Sequence, residues 1–461
     1  MFDKHIYQSR RSRLKEQVGK GLILLLGNED SSMNYKDNLY PFRQDSSFLY
    51  FFGIDKPGLA ALIDIDNNTE VIFGNDLTMD DIVWTGAQPP LAQQAEASGI
   101  TDTRPAAALA AELVPARGAG RTIHFLPPFR PENILKLSAW LGFAPGAVKG
   151  HASVPLIKAV VAQRSIKSAE EIAQIEEAVD ITTAMHLAAI RGARDGITEA
   201  QLAGVLHGIA ISSGGNLSFP TILTVNGQVL HNHYGDTVMK SGRIVICDAG
   251  AETKMHYAGD MTRTFPVAKK FTTLQREMYD IVLDAQEAAV AALKPGVLFR
   301  DVHALAAKRL VAGLKSAGIM KGDPAEAVAA GAHTMVFQCG LGHMMGLDVH
   351  DMEDLGEEYV GYTDDLKKSK EFGWKFLRLA RALEPGFVVT IEPGLYFIPE
   401  LMDRWGAEKK YADFINYGKL ESLRDFGGIR IEEDLLITSS GSRLLGKPLA
   451  KTAAAVEALR G

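Results

Sequence analysis

Cysteine is nearly missing from this chain, with only Cys247 and Cys339 among 461 residues. Two thiols cannot build a disulfide framework, and they do not make the sulfur-rich set that a structural zinc site requires. No stretch approaches the roughly 18 to 20 uninterrupted apolar residues of a membrane span. The opening segment from Met1 to Gly19 is charged and has no apolar core of the secretion-signal kind, so a cytoplasmic address and no membrane partner are expected. An excess of basic charge is also lacking. The net charge is -7, with acids and bases interspersed, which gives no surface for nucleic acid. What remains is a chain 46% hydrophobic, long enough to bury a large core in two domains.

Along the chain, the first 150 or so residues read as a small mixed α/β domain. Apolar runs at Leu22 to Leu26, Phe48 to Phe52, Ala60 to Ile65 and Val71 to Phe73 are bounded by turn residues and are expected to be short strands. Pro105 to Glu112 is expected to be helical. A boundary is expected near 150–166, from Gly150, Pro155 and the polar segment Gln163-Arg164-Ser165, dividing the chain into domains over 1–155 and 160–461. Beyond it, Ser168 with Glu171 and Thr272 with Gln275 form capping boxes that open two long helices. Gly196-Ile197 and Gly296-Val297 precede similar second helices, while Gly242 and Gly386 each lie six residues before an acid, Asp248 or Glu392. The matched offsets predict a duplicated helix-helix-strand unit related by a pseudo-two-fold axis.

Five positions organise the second half: Asp248, Asp260, His343, Glu392 and Glu432. Strand-like runs lead into Asp248, Glu392 and Glu432, so each of these acids is either solvated at an edge or aimed inward. Four inward carboxylates cannot share a site unless positive charge joins them. Two divalent cations balance the four charges and one neutral imidazole completes the set, a composition that suits Mn(II), Co(II) or Zn(II). Two such ions roughly 3.5 to 4 Å apart would bridge a water, lower its pKa and stabilise the oxyanion of an attacked carbonyl, so hydrolysis is the expected reaction. Glu392 could accept the nucleophile's proton while ligating. His231, His233 and His350 are candidates to hold substrate or move protons. Arg430 shares a face with Glu432 and could orient an acid, whereas period-two alternation puts Glu433 on the opposite face.

The stretches Cys247-Asp248-Ala249-Gly250, Gly259-Asp260-Met261-Thr262-Arg263-Thr264, Gly340 to His350, Thr390-Ile391-Glu392-Pro393-Gly394 and Gly428 to Asp434 resemble the pita-bread metallopeptidases, in the Xaa-Pro aminopeptidase (aminopeptidase P) and Xaa-Pro dipeptidase (prolidase) branch. Phe42-Arg43-Gln44 and the run after it resemble that branch's non-catalytic N-terminal domain. The resemblance implies an α/β (α+β) chain with a C-terminal pita-bread catalytic domain. It implies hydrolysis of the bond between an N-terminal residue and proline, two metal ions, usually Mn(II), and a dimer or tetramer. By position, Asp248 and Asp260 would bind one metal, Asp260, His343 and Glu392 would contact the other, and Glu432 would bridge with Asp260. His231 and His350 match the family's substrate and proton-shuttle histidines.

Three features bear on substrate choice. Arg378 falls where prolidases carry an arginine that pairs with a dipeptide's carboxylate, a task suited to its bidentate fork. The insert from Trp405 to Asp425 is also prolidase-like. Cys339 stands where the family has a histidine that contacts substrate near the scissile bond, and a thiol is a smaller, weaker donor. The resemblance therefore leaves open a metallohydrolase of altered specificity, or a binding protein without chemistry.

Overall fold

The run Phe48 to Phe52 is not a strand. In the computed structural model, which describes residues 1–461, Ser46–Phe52 forms a fully buried helix. The Asp45 side chain accepts from Phe48 N at 2.9 Å, and Gly53 closes the helix in the left-handed region at φ 66°. Its last carbonyls are claimed by two buried arginines: Arg10 Nη1 donates to Tyr50 O and Arg11 Nη1 to Phe51 O, both at 2.9 Å. A continuous apolar run carries no period to separate buried helix from buried strand, so the caps decide. An Asp45→Ala substitution is expected to cost about 1 kcal/mol, read as a lowered urea midpoint with an unchanged m-value.

The chain forms two compact units, Met1–Arg164 with Met352–Tyr359, and Ser165–Asp351 with Val360–Gly461. A helix, Val154–Ser165, runs through the 150–166 region where a boundary is expected, and the division falls after Arg164. The attachment of Met352–Tyr359 to the first unit left no mark in the sequence pattern. No helix is long and apolar enough to cross a membrane.

In the first unit β1 (Leu22–Leu26), β2 (Ala60–Asp64), β3 (Thr69–Phe73), β4 (Asp102–Arg104) and β5 (Ile123–His124) form one sheet in the order β4-β3-β2-β1-β5. The three central strands are antiparallel, while β4 runs parallel to β3 and β5 to β1. Alternation sends Leu22, Leu24, Leu62, Val71 and Phe73 into one core with Leu109, Leu113, Leu137 and Leu141. The last four come from the helices Ala108–Gly118 and Pro131–Leu141.

The second unit contains a duplication. Both expected capping boxes are formed, at Ser168 and Thr272. The helices Ala169–Gly192 and Glu199–Ser212 pack together, as do Thr273–Ala292 and Phe299–Ser316. Backbone hydrogen bonds repeat between the halves. Gly196 N donates to Met239 O at 3.0 Å and Gly296 N to Leu383 O at 2.8 Å, while Met239 N donates to Ile197 O and Leu383 N to Val297 O. Gly242 and Gly386 turn the chain into the following strand at φ 93° and 92°, which glycine adopts without strain.

The strands that follow are β6 (Asn216–Leu217), β7 (Ile222–Thr224), β8 (Ile244–Ala249), β9 (Ala251–Glu252) and β10 (Met261–Pro266) in one half. The other half has β11 (Val388–Ile391), β12 (Gly394–Tyr396), β13 (Gly428–Arg430), β14 (Glu433–Ile437) and β15 (Ser442–Leu444). They pair in the orders β10-β8-β7, β11-β14-β15, β12-β13 and β6-β9. The candidate ligands lie on these strands or beside their ends.

Candidate metal centre

Asp248 lies within β8 opposite Thr262 of β10. Asp260 immediately precedes β10, Glu392 follows β11, and Glu432 occupies the junction between β13 and β14. His343 reaches the site from a segment bridged to β11, with its backbone N–H donating to Thr390 Oγ1 at 3.1 Å. Gly342 makes that approach possible, since a Cβ there would lie 2.0 Å from Thr390 O.

Asp260, His343 and Glu432 present ligand atoms within 4.8 Å of one another. His343 Nε2 lies 3.3 Å from Asp260 Oδ2 and 3.5 Å from Glu392 Oε1. Its Nδ1 faces Met344 O at 3.0 Å, which orients the ring and leaves Nε2 facing the carboxylates. Asp248 is held from the other side, where Arg430 Nη2 donates to its Oδ2 at 2.5 Å.

Arg430 is the hub of the cluster. It also donates to Tyr396 Oη at 2.7 Å and to Thr262 Oγ1 at 3.1 Å, and the Thr262 hydroxyl in turn donates to Glu432 Oε2 at 2.7 Å. The acid that Arg430 orients directly is therefore Asp248, and Glu432 is reached through Thr262. Glu433 points the other way, toward Arg263, Gln286 and Lys451. Asp434 accepts from Asp260 N at 3.0 Å and steadies that residue from behind. Thr262, Thr390 and Tyr396 had no role in the sequence reading, and no local spacing rule connects them to Arg430, His343 or Glu432.

The charges do not balance within the protein. Burial and the charges of Asp248, Asp434 and Glu392 push the Asp260 carboxyl well above the usual range. Burial raises Glu392, opposed by His343 and Arg430. Burial, Asp260, Glu392 and Asp248 raise Glu432. Asp248 Oδ1 and Asp260 Oδ1 are buried without a hydrogen-bond partner. Clustered carboxylates with orphaned oxygens, one imidazole and no thiolate are a donor set for hard to borderline divalent cations, which would relieve the repulsion.

His350, His231, Arg378 and Cys339 bear on this cluster, and His233 does not. The His350 and His343 rings lie 4.3 Å apart, inclined at 69°. His231 follows Leu230, whose carbonyl accepts from Arg430 at 3.5 Å. Partial desolvation and the Arg430 charge lower the His231 pKa, with Asp248 opposing. His233 is turned to Thr221 O, 3.2 Å from its Nδ1. Arg378 is half-buried, and its charge acts on His231, His343 and Glu392. Cys339 is near Tyr396, Glu392 and Arg430, and burial together with Glu392 pushes its thiol up to about 12. It is therefore a neutral donor at ordinary pH, not a thiolate ligand.

The model of metallopeptidase family M24 matches residues 173–439. The chain belongs to this family. The match spans the five-residue cluster, so the M24 chain is a metallopeptidase and its membership implies divalent metal ions at the site. The aminopeptidase P N-terminal domain matches residues 7–124. Among curated relatives, the Xaa-Pro aminopeptidase of Escherichia coli is 32% identical, covering 98% of this chain and 97% of its own. The human Xaa-Pro dipeptidase is 30% identical over 95% and 90% of the two chains. Aminopeptidase P from E. coli with the inhibitor Pro-Leu superposes with a TM-score of 0.80 at 30% identity, covering 100% of this chain and 98% of that one. The zinc-substituted form with product gives 0.80 at 29% identity and the same coverage. The architecture is the pita-bread fold, with an N-terminal domain preceding the M24 domain.

Proposed function

We propose that this M24 metallopeptidase is an exopeptidase that hydrolyses the Xaa-Pro bond at the amino end of peptides and of Xaa-Pro dipeptides. The observation that carries the reading is the convergence of Asp260, His343 and Glu432 beside Glu392 and the Arg430-held Asp248. Its relatives are named for Xaa-Pro cleavage in both forms.

Asp248, Asp260, His343, Glu392 and Glu432 would hold two divalent ions, most simply Mn(II), with Co(II) or Zn(II) as the other fits to the same donors. When bound, the ions would supply Lewis acidity toward water and the scissile carbonyl. The protein's own part is positional and protonic. Arg430 and Thr262 fix Asp248 and Glu432, and Glu392 takes the proton lost by the attacking water. His350, packed on His343, and His231, beside Arg430, hold the peptide and move a proton to the leaving amine. We assign the 160–461 region to catalysis and 1–155 to a non-catalytic role, in a cytoplasmic dimer or tetramer.

Arg378 and Cys339 decide between the two substrate classes. Gly340 lies so close beneath the chain of Phe376 and Leu377 that a Cβ there would sit 2.9 Å from Phe376 O and 3.1 Å from Leu377 Cα. The segments that carry Cys339, just before Gly340, and Arg378, just after Leu377, thereby pass close to one another. The Trp405–Asp425 insert supports the same strand of chain, since Trp405 packs edge-on to Phe372 at 5.7 Å. A guanidinium at this point favours a substrate that ends in a carboxylate directly after proline.

Product release from Ala-Pro and Ala-Pro-Ala by the Mn(II)-loaded protein tests the assignment. The expected result is preference for Ala-Pro, with Arg378→Ala raising KM for the dipeptide at least tenfold and leaving the tripeptide within about threefold. Preference for Ala-Pro-Ala would make the chain an aminopeptidase and leave Arg378 without the clamp role. Cys339→His is expected to raise kcat on both substrates, because an imidazole donates a stronger hydrogen bond to a developing oxyanion than a thiol does. If both the wild type and this variant are inert, the Xaa-Pro reading itself fails.

A further inference from the structure

Lys167 and Asp351 form a buried ion pair, with Nζ 2.8 Å from Oδ2 and side chains only 2% and 1% exposed. A charge pair so far from water is costly to keep, and it is weak support for stability by itself. Its placement gives it another use.

Asp351 directly follows His350 and closes the loop that begins after His343. Its backbone N–H donates to Met344 O at 2.9 Å, Gly346 N donates to Asp348 O, and Met345 N donates to Val388 O in β11. Gly346 lies under the pair, where a Cβ would come within 2.7 Å of Asp351 Oδ2 and 3.0 Å of Lys167 Cε. Lys167 is anchored at its other end, since its backbone N–H donates to Gly386 O at 2.9 Å. Gly386 is the turn that leads into β11 and on to Glu392. Lys167 thus spans from the turn that launches one ligand strand to the residue behind His350. Against that strap the His350 ring stands 4.3 Å from His343.

We propose that Lys167 and Asp351 are positioning residues that hold the Met344–Asp351 loop so that the His350 imidazole is set against His343. The inference rests on the exopeptidase reading only in its kinetic arm. Lys167→Met and Asp351→Asn each strand one buried charge and lower stability, so the decisive variant is the double one, Lys167→Met with Asp351→Leu. This removes both charges and restores much of the thermal midpoint lost by the single variants.

With the midpoint recovered, kcat on the preferred Xaa-Pro peptide is expected to stay at least tenfold below the wild type, with KM within about twofold and metal content unchanged. Adding His350→Ala to the double variant is expected to cost less than it costs the wild type, because the ring was already misplaced. Full kcat in the double variant, or an undiminished His350→Ala penalty, overturns the proposal. The His350 imidazole NMR signal of the zinc-loaded protein, assigned by its loss in His350→Ala, reads the same placement without turnover. It is expected to shift in the double variant, and an unmoved signal refutes the strap. If the wild type cleaves no Xaa-Pro peptide but the signal still shifts in the double variant, the substrate assignment fails while the positioning role stands.

Discussion

Replacing Glu392 with glutamine is expected to lower kcat on the preferred Xaa-Pro peptide by about a thousandfold, within the range usual for loss of a positioned acid-base group. The amide keeps the shape and removes the charge. Glu392 stands at the end of β11, 3.5 Å from His343 Nε2, and burial raises its carboxyl above the ordinary value. The neutral amide cannot accept a proton from water, and it is a poorer ligand, so metal content is expected to fall below two equivalents. Glu433→Gln is the control from the same neighbourhood. Its carboxylate faces Arg263, Gln286 and Lys451, so its substitution is expected to leave metal content unchanged. The cost should appear in stability instead, at about 3–5 kcal/mol, because Arg263 loses its counter-charge in a dry site. Turnover measured with metal analysis and urea melts separates the two. If the variants behave alike, the division of the Glu432-Glu433-Asp434 run into a site face and a scaffold face is wrong.

The parts of this molecule that were legible in its sequence are those whose causes are local. The capping boxes at Ser168 and Thr272 place both long helices because a cap involves residues three apart. The duplication was visible because Gly242 and Gly386 turn the chain at the same offset before Asp248 and Glu392. Period two separated Arg430 and Glu432 from Glu433. Phe48 to Phe52 was misread because its period is hidden when every face is buried, although Asp45 and Gly53 were there to mark the helix ends. Partners far apart in the chain could not be read at all. The Arg430 contact with Asp248 spans 182 residues and that of Lys167 with Asp351 spans 184. No spacing rule reaches that far, and these contacts decide which acid is held by which cation.

A second large effect belongs to pH and to three buried histidines. His186, His303 and His333 are fully buried, and burial lowers their pKa values from 6.5 to about 4, about 3 and about 4. His303 and His333 are 6.3 Å apart, packed with Trp374, and all four of their ring nitrogens lack hydrogen-bond partners. A neutral ring is tolerated there and a charged one is not. Between pH 6.5 and about 4 the unfolded chain binds protons at these three sites while the folded chain does not. Their contribution is therefore complete above pH 6.5 and is lost as pH falls through that window, at a combined slope of about 4 kcal/mol per pH unit. Burial also raises the carboxyls of Asp260, Glu392 and Glu432, so the clean measurement is a difference. His303→Leu, whose side chain does not titrate, is expected to flatten the dependence of unfolding free energy on pH by about 1.4 kcal/mol per unit between pH 6 and 4.5. Adding His333→Leu should double the flattening, whatever either substitution does to stability at neutral pH. Urea melts of wild type and variants at stepped pH read this directly, and parallel curves would mean that the two histidines reach protonated states inside the fold.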